Sequence, residues 1–189
     1  MAGSIALGSS SATFAQDGRL YFGASFGQAE ANDFCRDVND IFTGFGITPT
    51  GCDEKDGAFK LFGGFQVNRN FAIEASYFDY GSVRANGDLG GFPVTLSASA
   101  TAFGVAALAT FPVAERFSLF GKVGLLFSDA DILISGAGTA VAESDSETGL
   151  HIGIGALFNA TDKVGIRAEW ERNDELEIDM ISVGVQVRF

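Results

Sequence analysis

From residue 19 onward the apolar positions recur at every second residue, which is the period of a β-strand rather than of a helix. The first run, over 19–28, sets Leu20, Phe22, Ala24 and Phe26 against Arg19, Tyr21, Gly23, Ser25 and Gly27. The same alternation returns over 58–67, 71–80, 102–111, 117–128, 149–158, 164–171 and 181–189, which makes eight expected strands. Each is close to the roughly 9–11 residues that a tilted strand needs to cross the apolar layer of a bilayer. Connections alternate in length. Residues 68–70, 112–116 and 159–163 are short turns, whereas 29–56, 81–95 and 129–147 read as long loops. A fourth connection on the long-loop side, near 173–177, is brief but strongly polar. Short turns on one rim and longer segments on the other form the pattern of a transmembrane barrel.

The direction of each face decides the class. A soluble barrel turns its apolar face inward and a charged face to water, and a membrane barrel does the reverse. Here the apolar face carries no charge across the body of any strand and is bounded by Phe59, Phe71, Phe111, Phe117, Phe158 and Phe189. The other face is rich in Gly, Ala and Ser, with isolated charges of both signs. Such a face fits a narrow lumen and leaves a water-exposed surface short of charge. The expected fold is therefore an all-β, eight-stranded antiparallel up-and-down transmembrane β-barrel over residues 17–189. Closure also removes the unpaired strand edges that lipid would not tolerate.

Composition narrows the function. Among 189 residues, 12 Lys and Arg face 24 Asp and Glu, a net charge of −12. Nucleic-acid binding, which needs a basic face, is not expected. One His and two Cys leave little for a zinc site or a Cys/His nucleophile, so no metal, cofactor or catalytic role is expected. Residues 1–16 are small, apolar and uncharged. They read as the tail of a secretory signal ending near Thr13-Phe14-Ala15, or as a flexible N-terminus.

Particular runs resemble a known family. Residues 60–77, with Asn68-Arg69-Asn70-Phe71-Ala72-Ile73-Glu74 at their centre, are similar to the second hairpin of OmpA-like eight-stranded outer-membrane barrels. Residues 117–124 resemble that family's fifth strand. The ending Val183-Gly184-Val185-Gln186-Val187-Arg188-Phe189 resembles the C-terminal strand whose terminal Phe is read by the barrel-assembly machinery. The resemblance implies an outer-membrane location with both termini periplasmic and surrounding lipid and lipopolysaccharide; a monomer is expected because a small barrel can close alone. The periplasmic peptidoglycan-binding domain of full-length members is not carried over to this chain.

With the termini periplasmic, Glu74, Lys122, Arg167 and Glu169 are expected at one height in the lumen, with Lys60 and Glu171 higher. Three cations and three anions in a narrow interior should pair, because an unpaired buried charge costs several kcal/mol. The pairs form either a permanent polar core or a gate. Cys35 and Cys52, an even pair in an exported chain, are expected to form a disulfide, with free thiols as the alternative. The acidic loop around them reads as a solvated, self-repelling surface, with divalent-cation binding as the other option. His151 reads as a lumen polar filler. The expected function is structural or surface contact, and the alternative is a narrow pore for small solutes.

Overall fold

The computed structural model describes residues 20–136 and 139–189, so the expectation for residues 1–16 lies outside the described residues. The elements are β1 (Leu20–Ala31), α1 (Phe34–Gly44), β2 (Thr48–Asp53), β3 (Lys55–Gln66) and β4 (Phe71–Leu89). They are followed by β5 (Phe92–Pro112), β6 (Phe117–Gly136), β7 (Thr139–Asn159), β8 (Val164–Asn173) and β9 (Ile178–Arg188). All strands but β2 close a ring of eight, in which β9 returns to β1 with Tyr21 opposite Arg188 and Ala31 opposite Ile178. Every pairing is antiparallel. The fold is the eight-stranded up-and-down barrel.

Alternation sorts the side chains as lipid requires. Phe26, Ile154 and Ile181 are 68%, 63% and 65% exposed on the outer surface, whereas Lys60 and Glu74 inside are 0% and 1% exposed. Exposed apolar area on this scale would drive aggregation in water, and against lipid it is the stabilising surface. The turns of one rim are tied locally. Asn68 Oδ1 accepts from the amides of Asn70 and Phe71, both at 2.9 Å, and Thr161 Oγ1 accepts from the Val164 amide at 3.0 Å.

The opposite rim corrects the loop expectation. Segments 81–95 and 129–147 are largely strand, continuing β4, β5, β6 and β7 to 19–21 residues each. Their alternation is carried by small and charged residues, so it falls below the signal of the Phe-rich membrane portions. At the tip of β4–β5, Gly90 and Gly91 take φ of 62° and 94°, as a two-residue hairpin turn of the primed kind demands. Lower on β4, Gly81 at φ 74° sits in a bulge where the register shifts between Asp79 and Ser82. The extra residue reverses the parity of the strand, so Ala85 above it faces the same side as Phe78 below.

Asp56 locks this bulge by accepting from the amide of Ser82 at 2.8 Å and from that of Gly57 at 2.7 Å. Those amides, that of Ser82 first, hold the Asp56 carboxyl below its usual range. A depressed folded-state value means the lock is present above the ordinary carboxylate range and is lost as pH falls through the folded value. Asp56→Asn is expected to speed hydrogen exchange of the Ser82 amide near neutral pH, with the difference from wild type vanishing once acidification protonates Asp56 in the folded chain. Equal exchange rates at neutral pH would show that the carboxylate does not hold the bulge.

Segment 29–56 also contains more than a loop. Phe34, Val38 and Phe42, four residues apart, form one face of α1 and pack with Ala85 and Leu96 of the extended hairpin. Cys35 and Cys52 form a disulfide that ties α1 to β2, with Cα atoms 5.8 Å apart. Closing a loop of this length stabilises by about 3 kcal/mol in the chain-entropy model. In a Cys35→Ser/Cys52→Ser variant, α1 amides are expected to exchange faster while those of β8 and β9 stay protected. Unchanged α1 exchange would mean that packing alone holds the helix.

Candidate functional site

Six charged side chains from four strands meet inside the barrel. Lys60 comes from β3, Glu74 from β4, Lys122 from β6, and Arg167, Glu169 and Glu171 from β8. The last three are two residues apart, and strand period two turns all of them inward. Lys60 Nζ lies 2.8 Å from Glu169 and 2.6 Å from Glu171. Lys122 Nζ is 3.2 Å from Glu74 and 2.8 Å from Glu171, and it also contacts Glu169. Arg167 Nη1 donates to Glu74 Oε2 at 2.7 Å. Its Nε lies 3.0 Å from Glu169 Oε1 but off the hydrogen-bond line, so that contact is Coulombic. The two expected heights are thus one connected network, because Lys122 reaches the carboxylates of both.

Neighbours on the same lumen faces complete it. The Tyr21 hydroxyl donates to Glu74 Oε2 at 2.9 Å, and His151 Nε2 lies 3.2 Å from Glu171 Oε1. The Arg167 guanidinium stands between the rings of Phe62 and Phe120, 4.2 and 4.6 Å from their centroids, where the ring faces attract a cation. Gly64 makes the Tyr21 contact possible, since a Cβ there would overlap the Tyr21 ring. Sequence reasoning named the six charges and passed over Tyr21, Phe62 and Phe120. Strand parity held that information, since each lies on the charged face of its own strand.

The network lies between two apolar layers. On the short-turn side, Tyr21, Phe62, Ala72, Ala106, Leu108, Phe120 and Leu157 pack together. On the other side Phe78, Tyr80, Leu126, Ile178 and Met180 do so, with Phe78 and Leu126 wholly buried. A cavity of about 650 Å³ opens at the short-turn mouth and reaches as far as Phe120 and Arg167. Lys60, Lys122 and Glu171 do not line it. Among the described residues no group of three or more His, Cys, Asp or Glu is placed to hold a metal ion.

An inside-out barrel with a charged core narrows the possible families, and the comparison with known families decides among them. The model of the outer membrane protein beta-barrel domain matches residues 2–189. The chain belongs to this family. Membership places it in the bacterial outer membrane. Solved structures of similar fold include Ail, the attachment invasion locus protein of Yersinia pestis. It is 20% identical with a TM-score of 0.54, over 92% of this chain and 100% of that one. The N-terminal barrel of Pseudomonas aeruginosa OprF gives 14% identity and a TM-score of 0.57, again over 92% and 100%. OprG of the same organism gives 7% and 0.59, over 92% and 96%. At these identities the likeness is one of fold. No curated protein sequence matches the chain.

In this family member Phe189 directly follows the last strand, β9, which closes at Arg188. Its amide donates to the Leu20 carbonyl at 3.0 Å, and its ring meets that of Phe22 edge-on at 6.1 Å, beside the seam that closes the barrel.

Proposed function

We propose that this barrel is closed to solutes and acts through its extracellular head as a non-catalytic surface-contact protein. The observation that supports the reading is the buried ion network that lies across the lumen between two apolar layers. Eight strands enclose an interior that side chains can just fill, and moving a solute through would separate ion pairs and uncouple both layers. In this reading the short turns and both termini are periplasmic. The barrel-assembly machinery reads Phe189, outer-membrane lipid and lipopolysaccharide surround the apolar belt, and a monomer suffices because the ring closes without a second copy.

The head has the charge of a contact surface. Residues 30–56, 79–99, 129–147 and 172–179 carry eighteen Asp and Glu against four Lys and Arg, more than the whole net charge of −12. Polyanions such as sulfated glycans are repelled by such a surface, and cationic partners are attracted.

A second reading, the narrow low-conductance pore, draws on the 650 Å³ vestibule that ends at Arg167. Single-channel recording of refolded protein, with insertion verified separately, divides the two. Silence is expected. Discrete small openings would overturn the closed reading, and in that case Glu74→Gln or Arg167→Met should alter the open time. Unchanged conductance in both would remove the network as a gate.

A further inference from the structure

The extracellular head ends in an open sheet edge. β7 pairs with β6 along its whole length, from Thr139 opposite Gly136 to Phe158 opposite Phe117. Its pairing with β8 begins only at His151, opposite Asn173. Among the described residues, 140–148 therefore have a strand on one side and none on the other, over about 30 Å at the usual strand rise.

The direction of the backbone groups on this edge can be read from its lower end. The Leu150 carbonyl already points away from β6, since it accepts the Asp174 amide at 3.1 Å. The β6–β7 register has no shift, so the even-numbered residues above it, among them Ala140, Ser144, Ser146 and Thr148, present their N–H and C=O groups to the open side. Ser146 agrees with this, since its amide donates to Asp145 Oδ1 at 2.9 Å.

Exposed edges are commonly blunted by proline, bulges, short length or charged side chains, and β7 has only the last of these, as acids rather than lysines. The other margin of the head, β2, carries the first three. It has six residues, contains Pro49, shifts register between Pro49 and Gly51, and is fastened to α1 through Cys52. The β7 edge has no proline and no bulge. What it has is Glu143, Asp145 and Glu147 at every second position, all exposed and all on one face, and no Lys or Arg anywhere in 129–148. A second copy of this edge would set like charges against like, which disfavours self-pairing. A strand with cations at alternate positions would meet the three carboxylates in register while completing the backbone ladder.

We infer that the β7 edge over residues 140–148 takes up an added antiparallel or parallel strand from a partner protein, an extended segment bearing Lys or Arg at alternate positions. Main-chain hydrogen bonds supply the geometry of such strand addition, and side chains on one face supply the selectivity. The inference deepens the surface-contact reading and rests on it.

The test uses the whole chain in lipid nanodiscs and three labelled ten-residue peptides. One alternates Lys and Thr, one is the same peptide N-methylated at every second amide, and one alternates Glu and Thr. Binding of the Lys-Thr peptide is expected, with none by the Glu-Thr peptide and at least tenfold weaker binding after methylation. Ser144→Pro should weaken binding at least tenfold, because it removes an edge N–H without touching the β6 ladder. Glu143→Lys/Asp145→Lys/Glu147→Lys should reverse the preference toward the Glu-Thr peptide, a gain that a misfolded head could not produce. Binding indifferent to both methylation and Ser144→Pro is plain charge adsorption and overturns the inference, as does the absence of binding. Conductance separates the two readings. A silent barrel that ignores the peptide refutes only the strand-addition inference, whereas a conducting barrel refutes the surface-contact reading beneath it.

Discussion

Arg167→Met is expected to lower folding stability by about 3–5 kcal/mol, the usual cost of removing one partner from a buried ion pair. Arg167 is 2% exposed and holds Glu74 at 2.7 Å and Glu169 at 3.0 Å. Its loss leaves three carboxylates facing two lysines beside the vestibule that Arg167 lines. Methionine fills the space between Phe62 and Phe120, so the measured loss reports charge rather than a cavity. Denaturant unfolding in lipid vesicles gives the value. Adding Glu74→Gln restores the balance to two cations and two anions, so the double variant should lose far less than the sum of its parts. A single-variant loss below about 1 kcal/mol would mean that water enters and solvates the remaining carboxylates.

Phe78→Ala is the second large effect, with an expected loss of about 3–5 kcal/mol. Phe78 is wholly buried, stacks on Tyr80 at a centroid distance of 5.5 Å and meets the edge of His151 at 5.4 Å. The truncation opens a cavity in the apolar layer on the long-strand side and leaves the ion pairs of the network in place. The variant should therefore remain silent in a planar bilayer despite its lower stability. Joined to Arg167→Met, which loosens the next layer, it should produce small discrete openings in inserted protein. Conduction by Phe78→Ala alone would make that aromatic layer the sole barrier and leave the charges as filler.

The two variants also separate what was legible in the sequence from what was not. That Arg167 and Phe78 point inward follows from parity alone, since both stand opposite the apolar face of their strands. That Arg167 lies between Phe62 and Phe120, contributed by β3 and β6, depends on how far each strand is displaced along its neighbours around the ring. Likewise, α1 was readable in principle from Phe34, Val38 and Phe42. It was hidden by the Asp and Arg residues between them, which resemble an acidic loop.

The sequence by itself determined the sidedness of the barrel, its ring of eight, its inward charges and the acidic character of its outer segments. These are local properties: alternation acts residue by residue, and lipid outside inverts the meaning of each face. Tertiary structure alone decided which charges touch and where the outer sheet ends. Lys122 joins Glu74 to Glu171 across the lumen only because strand tilt and stagger bring different heights together. The β7 edge is open only because β8 and β9 turn back at Asn173–Ile178 while β6 and β7 continue upward. Relative strand length and register are properties of the assembled ring, and no single strand encodes them.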